Sequence, residues 1–492
     1  MNWMETPVLT REAMLQRIRE TGQLVYTMAR LANRRRRRTE QLLAYQRGKL
    51  RQLLYYVLEH SPFYRRRLAR IDPENCSLDR LPITNKQEIM EHFEEVVTDR
   101  RIRLEEVEEF ASDSSNLGRL FRNRYVICHT SGSQGRPIFI VQEPKDILLA
   151  FAVQLARGHP LEKRWKTLFR RFGRQARWAS FYVKPGFYPS SVVFTYMPQS
   201  VYRFAQTLRL SLQDPLEKNV QKLNEFQPNF LTGYASVLEA LAREQLAGRL
   251  RLRESGQLQL ITNMSEPLTP QARALIEQAF GVHVSDHYAM GECMTLTVGC
   301  PHAPGAHVNI DLAILEVVDD HYRPVPPGCK GSRVLVTCLH NYVMPFIRYE
   351  IGDVVTMNPD RCPCGSNLPH VAAIEGRTKD RFWIRRGERY EEFSPLIFLE
   401  VMYRCFDIAE FQFTQTDWTR FELRVAAVPG RQPDIGRIQR LLQEALQEAQ
   451  LHNCIQVDVI TVSEIPPDPV SGKRKRMQTR LPPPPGVPEA AP

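Results

Sequence analysis

No run of about 18 apolar residues occurs in the 492-residue sequence, so no segment of it is expected to cross a bilayer as a helix. The opening residues, MNWMETPVLTREAML, lack the apolar stretch of a secretion signal, which leaves the cytoplasm as the expected location. The ten cysteines lack the dense spacing of a small secreted scaffold, so reduced thiols or a metal site are expected in place of a disulfide framework. There is no repeat at solenoid periods. A GxxxxGK followed by Ser or Thr is also absent, which excludes a Walker-type phosphate loop. What is present, 43% hydrophobic and 25% charged residues, is a globular composition, and the length calls for a large domain and at least one small one.

The net charge of +11 is partly local, carried by Arg34 to Arg38 and by Lys473 to Arg476. Five consecutive arginines can grip polyanions. They also precede LLAYQRGKLRQLLYYVLEH, whose Leu50, Leu54, Val57 and Leu58 share a helical face, and a solvated helix start is the reading preferred here. The run RWKTLFRRFGRQARW, residues 164 to 178, interleaves basic and aromatic residues; it suits single-stranded nucleic acid or an amphipathic helix with a basic outer face, and the helix is preferred.

Along the chain, residues 1–120 read as a helical lead-in, with Pro62 closing its long helix and Ser61 offering the turn. From Tyr125 the pattern becomes strand, Gly-containing loop and returning strand: YVIC, HTSGSQGRP, IFIV. LQLITNM, VHVSDHY, AILEVVDD and SRVLVTCL then alternate with helical stretches such as TPQARALIEQAF, which gives a multi-layer α/β core over 121–375. After Gly376, FQFTQ, FELRVAAV, DIGRIQRLLQEALQEAQ and IQVDVI run strand, strand, helix, strand, a small α+β domain over 376–480. The tail LPPPPGVPEAAP, 481–492, cannot pack.

In the loop from Thr130 through Ser131, Gly132, Ser133 and Gly135, the glycines let backbone N–H groups turn toward an anion and the hydroxyls add donors, a phosphate cradle. Such a hairpin alone is more often a mobile turn. Four further motifs follow in chain order: Tyr288-Ala289-Met290-Gly291-Glu292, Arg348-Tyr349-Glu350-Ile351-Gly352-Asp353, Gly376-Arg377-Thr378-Lys379-Asp380 and Pro469-Val470-Ser471-Gly472-Lys473. The ordered set resembles the adenylate-forming superfamily of acyl-CoA synthetases, luciferases and peptide-synthetase adenylation domains. SPFYRRRL, TGYASVL, MPFIRYEIGD and CPCGSNLP are similar to its phenylacetate-CoA ligase branch, and the resemblance spans about residues 45 to 480.

The resemblance implies a large ATP- and acid-binding domain, a mobile C-terminal lid, and activation of a carboxylic acid as its acyl-AMP before thioester formation. The hairpin loop would hold the β- and γ-phosphates, Tyr288 would stack on adenine, and Glu292 would ligate Mg²⁺, a hard cation matched by oxygen. Asp353 would accept from both ribose hydroxyls. Arg377 would sit near ribose or phosphate, Asp380 at the hinge, and Lys473 would place its ammonium where negative charge develops. Lys475 competes with Lys473, which is preferred because it directly follows Ser-Gly. The acceptor implied is coenzyme A or an acyl-carrier protein, for which segment 164–178 is a third candidate use, and the acid is small, with aromatic acids the first guess. No membrane or nucleic-acid partner is implied, and a dimer is one of the oligomeric states left open.

Cys362-Pro363-Cys364 and Cys300-Pro301-His302, sixty-odd residues apart, offer three thiolates and an imidazole, a set suited to tetrahedral Zn²⁺, with unliganded buried cysteines as the alternative. His302 is taken as the fourth ligand and His307, which matches a family histidine, is reserved for the nucleotide or acyl side. Cys293, beside Glu292, reads as core or pocket lining.

Overall fold

The computed structural model describes residues 11–482 and 484, apart from 36, 131–136, 159–174, 183–185, 198–200, 202–204, 213, 301, 378–381, 394–397, 399–400, 403–404, 406, 428–429 and 467–475.

Three helices lead the chain, Arg11–Arg35, Thr39–His60 and Pro62–Arg67. Ser61 serves both sides of the second junction. Its N–H closes the long helix on Val57 O, its hydroxyl accepts from Tyr64 N at 3.4 Å, and Pro62 takes a first-turn position that needs no donor. Leu50, Leu54 and Val57 are buried as the stripe predicts. The arginine run departs from the expectation: Arg34 and Arg35 close the first helix and do not begin the next. Arg34 lies 3.5 Å from Asp311 Oδ2 and stacks over the Tyr45 ring at 4.2 Å, because a buried carboxylate needs a cation more than the helix needs another solvated face. Of the basic-aromatic segment, 164–174 lie outside the described residues, whereas Arg177 and Trp178 belong to a strand, Ala176–Tyr182.

The main core surrounds the antiparallel hairpin Val126–His129 with Phe139–Gln142. Around it lie a three-stranded antiparallel sheet, in the order Ala313–Val318, Arg333–Cys338, Tyr349–Ile351, and a four-stranded one, Asp353–Met357, His370–Arg377, Ala306–Val308, Thr297–Gly299. A second core packs helices against a five-stranded parallel sheet ordered Ala205–Ser211, Ala176–Tyr182, Phe230–Gly233, Leu260–Met264, Val284–His287. Its crossovers use Leu216–Phe226, Ala235–Leu246 and Pro270–Phe280, since parallel neighbours cannot be joined by a tight turn. Thr269 caps the last of these helices by accepting from Ala272 N at 3.1 Å, and Gly281, at φ 68°, ends it.

The C-terminal part holds a third core. A hairpin, Phe382–Arg386 with Arg389–Phe393, precedes a four-stranded sheet ordered Gln456–Val462, Arg420–Ala427, Ile408–Asp417, Met477–Thr479. The helix Ile435–Glu448 buries Ile438, Leu441, Leu442 and Leu446 and connects two parallel strands, the strand, strand, helix, strand order read from the sequence. The hairpin and the short last strand go beyond that reading. Together these layers are the mixed α/β architecture expected, a large N-terminal part and a smaller C-terminal one. Among the described residues, Arg243 donates to Ile408 O at 2.6 Å and Arg476 pairs with Glu239 at 2.7 Å, contacts that join the parts. Among the described residues no helix is long and apolar enough to cross a membrane.

Candidate active site

The loop read from the sequence as a phosphate cradle is anchored at its base. Thr130 N donates to Ile138 O at 3.1 Å, and the Thr130 hydroxyl accepts from Ile138 N at 3.3 Å, so backbone and side chain both clamp the two ends of the turn. Ser131, Gly132, Ser133 and Gly135 lie outside the described residues.

The turn carrying Glu292 rests directly on this hairpin. A Cβ at Gly291 would fall 2.8 Å from Ile140 Cδ1 and 3.6 Å from Cys128 Sγ, so only glycine lets the turn sit this close to the strands. Glu292 is 8% exposed there. Burial pushes the adjacent Cys128 thiol well up, and the charge of Glu292 adds to it, which fixes the carboxylate as a near neighbour of the hairpin.

Tyr288 and Asp353 meet across 65 positions of sequence. The Tyr288 hydroxyl donates to Asp353 Oδ2 at 2.7 Å, and the Tyr288 backbone is held at both ends by Thr297, whose Oγ1 accepts from its N–H at 3.0 Å and donates to its C=O at 2.7 Å. Asp353 opens its strand directly opposite Arg377, the two being paired across the antiparallel ladder. Thr130 and Glu292 thus meet at one hairpin, and Tyr288, four residues before Glu292, links that segment to Asp353 and the Arg377 backbone. Asp380 and Lys473 lie outside the described residues.

Arg348 is a residue whose part sequence reasoning missed. Its backbone adopts φ 42°, a left-handed conformation a non-glycine residue seldom takes, five residues before Asp353. Its guanidinium grips Glu316 through Nε and Nη2, each at 3.0 Å, and donates to Leu81 O at 2.7 Å. The strain is offset by a bidentate ion pair, and the segment that delivers Asp353 is fixed by it. Its place inside MPFIRYEIGD was the available signal.

The soft-ligand cluster corrects one assignment. Cys300, Cys362, Cys364 and His307 bring ligand atoms within 4.8 Å of one another, with Cys300 Sγ 3.5 Å from Cys362 Sγ and Cys364 Sγ 3.2 Å from His307 Nε2. His302 is exposed and contributes only its backbone N–H, 3.5 Å from Cys300 Sγ. The reason is the ladder: His307 pairs with Val298 in the sheet that leads into Cys300, whereas His302 lies in the outward turn. His307 Nδ1 lies 3.2 Å from Leu368 O, an acceptor, so Nδ1 carries the proton and the Nε2 lone pair faces the thiols. Burial pushes the His307 pKa down to about 4 and that of Cys300 up to about 12. A neutral imidazole among three thiols fits Zn²⁺, which takes thiolates in tetrahedral sites and would displace their protons.

No family profile matches the chain. It is 26% identical over 358 residues to a phenylacetate-coenzyme A ligase of Thermus thermophilus, covering 70% of this chain and 72% of that one. A phenylacetate-coenzyme A ligase of Pseudomonas putida is 28% identical over 181 residues, 34% of this chain and 38% of that one. In structure, a 2-hydroxyisobutyryl-CoA ligase in its postadenylation state superposes with a TM-score of 0.65 at 21% identity, over 88% of each chain. The chain has the adenylate-forming fold and is phenylacetate-CoA ligase-like in sequence. The same neighbour scores 0.56 in its thioesterification state, over 91% of each chain at 20% identity.

Proposed function

We propose that this phenylacetate-CoA ligase-like chain is an AMP-forming acid–thiol ligase. A carboxylate oxygen of a small acid attacks the α-phosphorus of ATP and pyrophosphate leaves; the sulfur of coenzyme A then attacks the acyl carbon and AMP leaves. The observation that carries this reading is that the short segment Tyr288 to Glu292 joins two carboxylates to the hairpin's side of the core: Glu292 beside the glycine packed on Cys128 and Ile140, and Asp353 through the Tyr288 hydroxyl.

Asp353 is read as the ribose acceptor, with Tyr288 aligning its carboxylate beside the purine. The loop from Thr130 through Gly135 would hold the phosphates. Glu292 would hold Mg²⁺, which when bound supplies neutralising charge to the phosphates. Arg377, whose backbone pairs with Asp353 in the ladder, would sit near ribose or phosphate, Asp380 would follow as the hinge, and Lys473 would meet the charge developing on the α-phosphate. Coenzyme A is favoured over an acyl-carrier protein because the T. thermophilus and P. putida relatives are both coenzyme A ligases by name. The location is read as cytoplasmic and aromatic acids as the first substrates to try.

The experiment is acid-dependent exchange of labelled pyrophosphate into ATP across a panel of aryl and alkyl acids. Lys473→Ala is expected to lower exchange roughly 10²–10³-fold while nucleotide binding persists, the loss typical of one transition-state donor. Exchange that survives the substitution removes Lys473 from the chemistry, and no exchange with any acid removes the whole reading.

A further inference from the structure

A second group of soft ligands lies in the main core, separate from the Cys300 cluster. Cys293, Cys338 and His340 each turn one ligand atom toward the others, all within 4.8 Å. Cys293 follows Glu292 in the turn on the hairpin, Cys338 ends the strand Arg333–Cys338, and His340 lies two residues on. Both thiols are essentially without solvent contact, at 1% and 0% exposure.

The imidazole is held by a buried carboxylate. His340 Nδ1 stands 3.0 Å from Asp146 Oδ1, and Asp146 is 3% exposed. Asp146 is itself fixed, since its other oxygen accepts from Glu143 N at 3.0 Å at the start of the helix Pro144–Val153. An ionised carboxylate only accepts, so it takes the Nδ1 proton and turns Nε2 toward the other partners. A carboxylate behind an imidazole whose other nitrogen faces thiols is the outer-shell arrangement of metal-bound histidines. Thr295 completes the group: its hydroxyl lies 2.8 Å from Nε2 and 3.7 Å from Cys293 Sγ. Two sulfurs, one nitrogen and one oxygen therefore surround a single region of the core, on four side chains fixed by a turn, a strand end and a helix cap. Ordinary packing demands none of these heteroatoms.

We propose that Cys293, Cys338 and His340 bind one thiophilic divalent cation, Zn²⁺ being the reference ion, with the Thr295 hydroxyl or a water as fourth donor. Two thiolates and an imidazole select such an ion over Mg²⁺ or Ca²⁺, which take oxygen. Binding displaces two protons from the Cys293, Cys338 and His340 group to solvent and leaves Nδ1–H on Asp146. The ion ties the turn bearing Glu292 to the strand end that leads into the Met344–Arg348 segment. The site stands whether or not the chain activates acids.

The test counts metal in the full chain. Protein produced with excess Zn²⁺ and then dialysed is weighed by native mass spectrometry and assayed by plasma emission, in wild type, Cys293→Ser, His340→Gln and Cys364→Ser. Expected is one ion fewer in Cys293→Ser and in His340→Gln than in wild type, whatever the total. Cys364→Ser, changed only in the other cluster, should retain this ion and, with Co²⁺ in place of Zn²⁺, still show sulfur-to-cobalt absorption. The Cys364→Ser arm keeps the test open if the core variants do not fold. An unchanged metal count in the two core variants, or no sulfur-to-cobalt band in Cys364→Ser, overturns the proposal. So does a Cys293–Cys338 disulfide in wild type, read as a mass 2 Da lower under denaturing, non-reducing conditions.

Discussion

His307 and His302 differ by five positions and have opposite fates. His307 sits in the strand Ala306–Val308 with its ring against Cys364, and His302 is exposed in the preceding turn. His307→Ala is therefore expected to release one equivalent of zinc, and His302→Ala to retain it, by metal assay on purified protein. Sequence spacing brought Cys300, Cys362 and Cys364 into one set because two Cys-Pro pairs of that kind suit a shared metal ion. It could not choose the histidine, since which residue of a pleated strand faces the cluster depends on pairing with Val298, a partner no local pattern names. Asp353 is the opposite case, legible from Gly-Asp within its motif. Its bond to Tyr288 joins two motifs the sequence showed only as neighbours in order. Asp353→Asn weakens acceptance from hydroxyl donors, and the KM for ATP is expected to rise about ten-fold or more, because hydrogen bonds to charged groups contribute roughly 1.5–3 kcal/mol. An unchanged KM for ATP would remove Asp353 from the nucleotide site.

The leading helix shows how an element is held by one buried group. Arg157, 1% exposed, donates to Asp311 Oδ1 at 2.8 Å and Oδ2 at 2.9 Å, and also reaches Asn309 Oδ1 at 2.6 Å and Leu31 O at 3.3 Å. With Arg34 on the same carboxylate, Asp311 ties the helix Arg11–Arg35 to the body of the large domain. Removing one partner of a buried pair strands the other, so Asp311→Ala is expected to cost about 3–5 kcal/mol in chemical denaturation. Burial alone would raise the Asp311 carboxyl, but the two arginines outweigh it and hold it below the usual range. A carboxyl depressed by folding stabilises above its unfolded pKa of roughly 3.9 and loses that contribution as pH falls through the folded value. Acid unfolding of the wild type should therefore have a component below about pH 4 that the Asp311→Ala variant lacks. The hairpin, the parallel strands and the lid helix were legible because their apolar spacing is local. Arg34 was not, because its partner lies 277 positions away and a run of arginines looks solvated until a buried anion is known.

At the scale of the whole molecule, the helix Ala235–Leu246 carries contacts between the parallel-sheet core and the C-terminal core. Glu239 and Arg243, four residues apart and so on one face, reach Arg476 and the Ile408 carbonyl respectively. Arg476 also lies over the Phe411 ring at 5.3 Å, and its carbonyl accepts from Phe413 N at 2.8 Å, so it is rigid within the C-terminal sheet. It stands three residues after Lys473. In the reaction proposed, a restraint on Arg476 bears on the residue assigned to meet the developing charge. If the chain is the ligase proposed, Glu239→Gln, which keeps shape and removes the buried charge, should slow pyrophosphate exchange about ten-fold, a loss of ~1.4 kcal/mol. Transfer from supplied acyl-AMP to coenzyme A, measured in single turnover, should change far less if, as the proposed cycle requires, the C-terminal part leaves this contact for that step. Equal slowing of both steps would make the contact a general support of the fold, and unchanged rates would show that Lys473 finds its place without it. None of this was readable from the sequence: Glu239 lies in an ordinary helical pattern and Arg476 in a basic run, and only the docking of two separately folded cores makes them a pair.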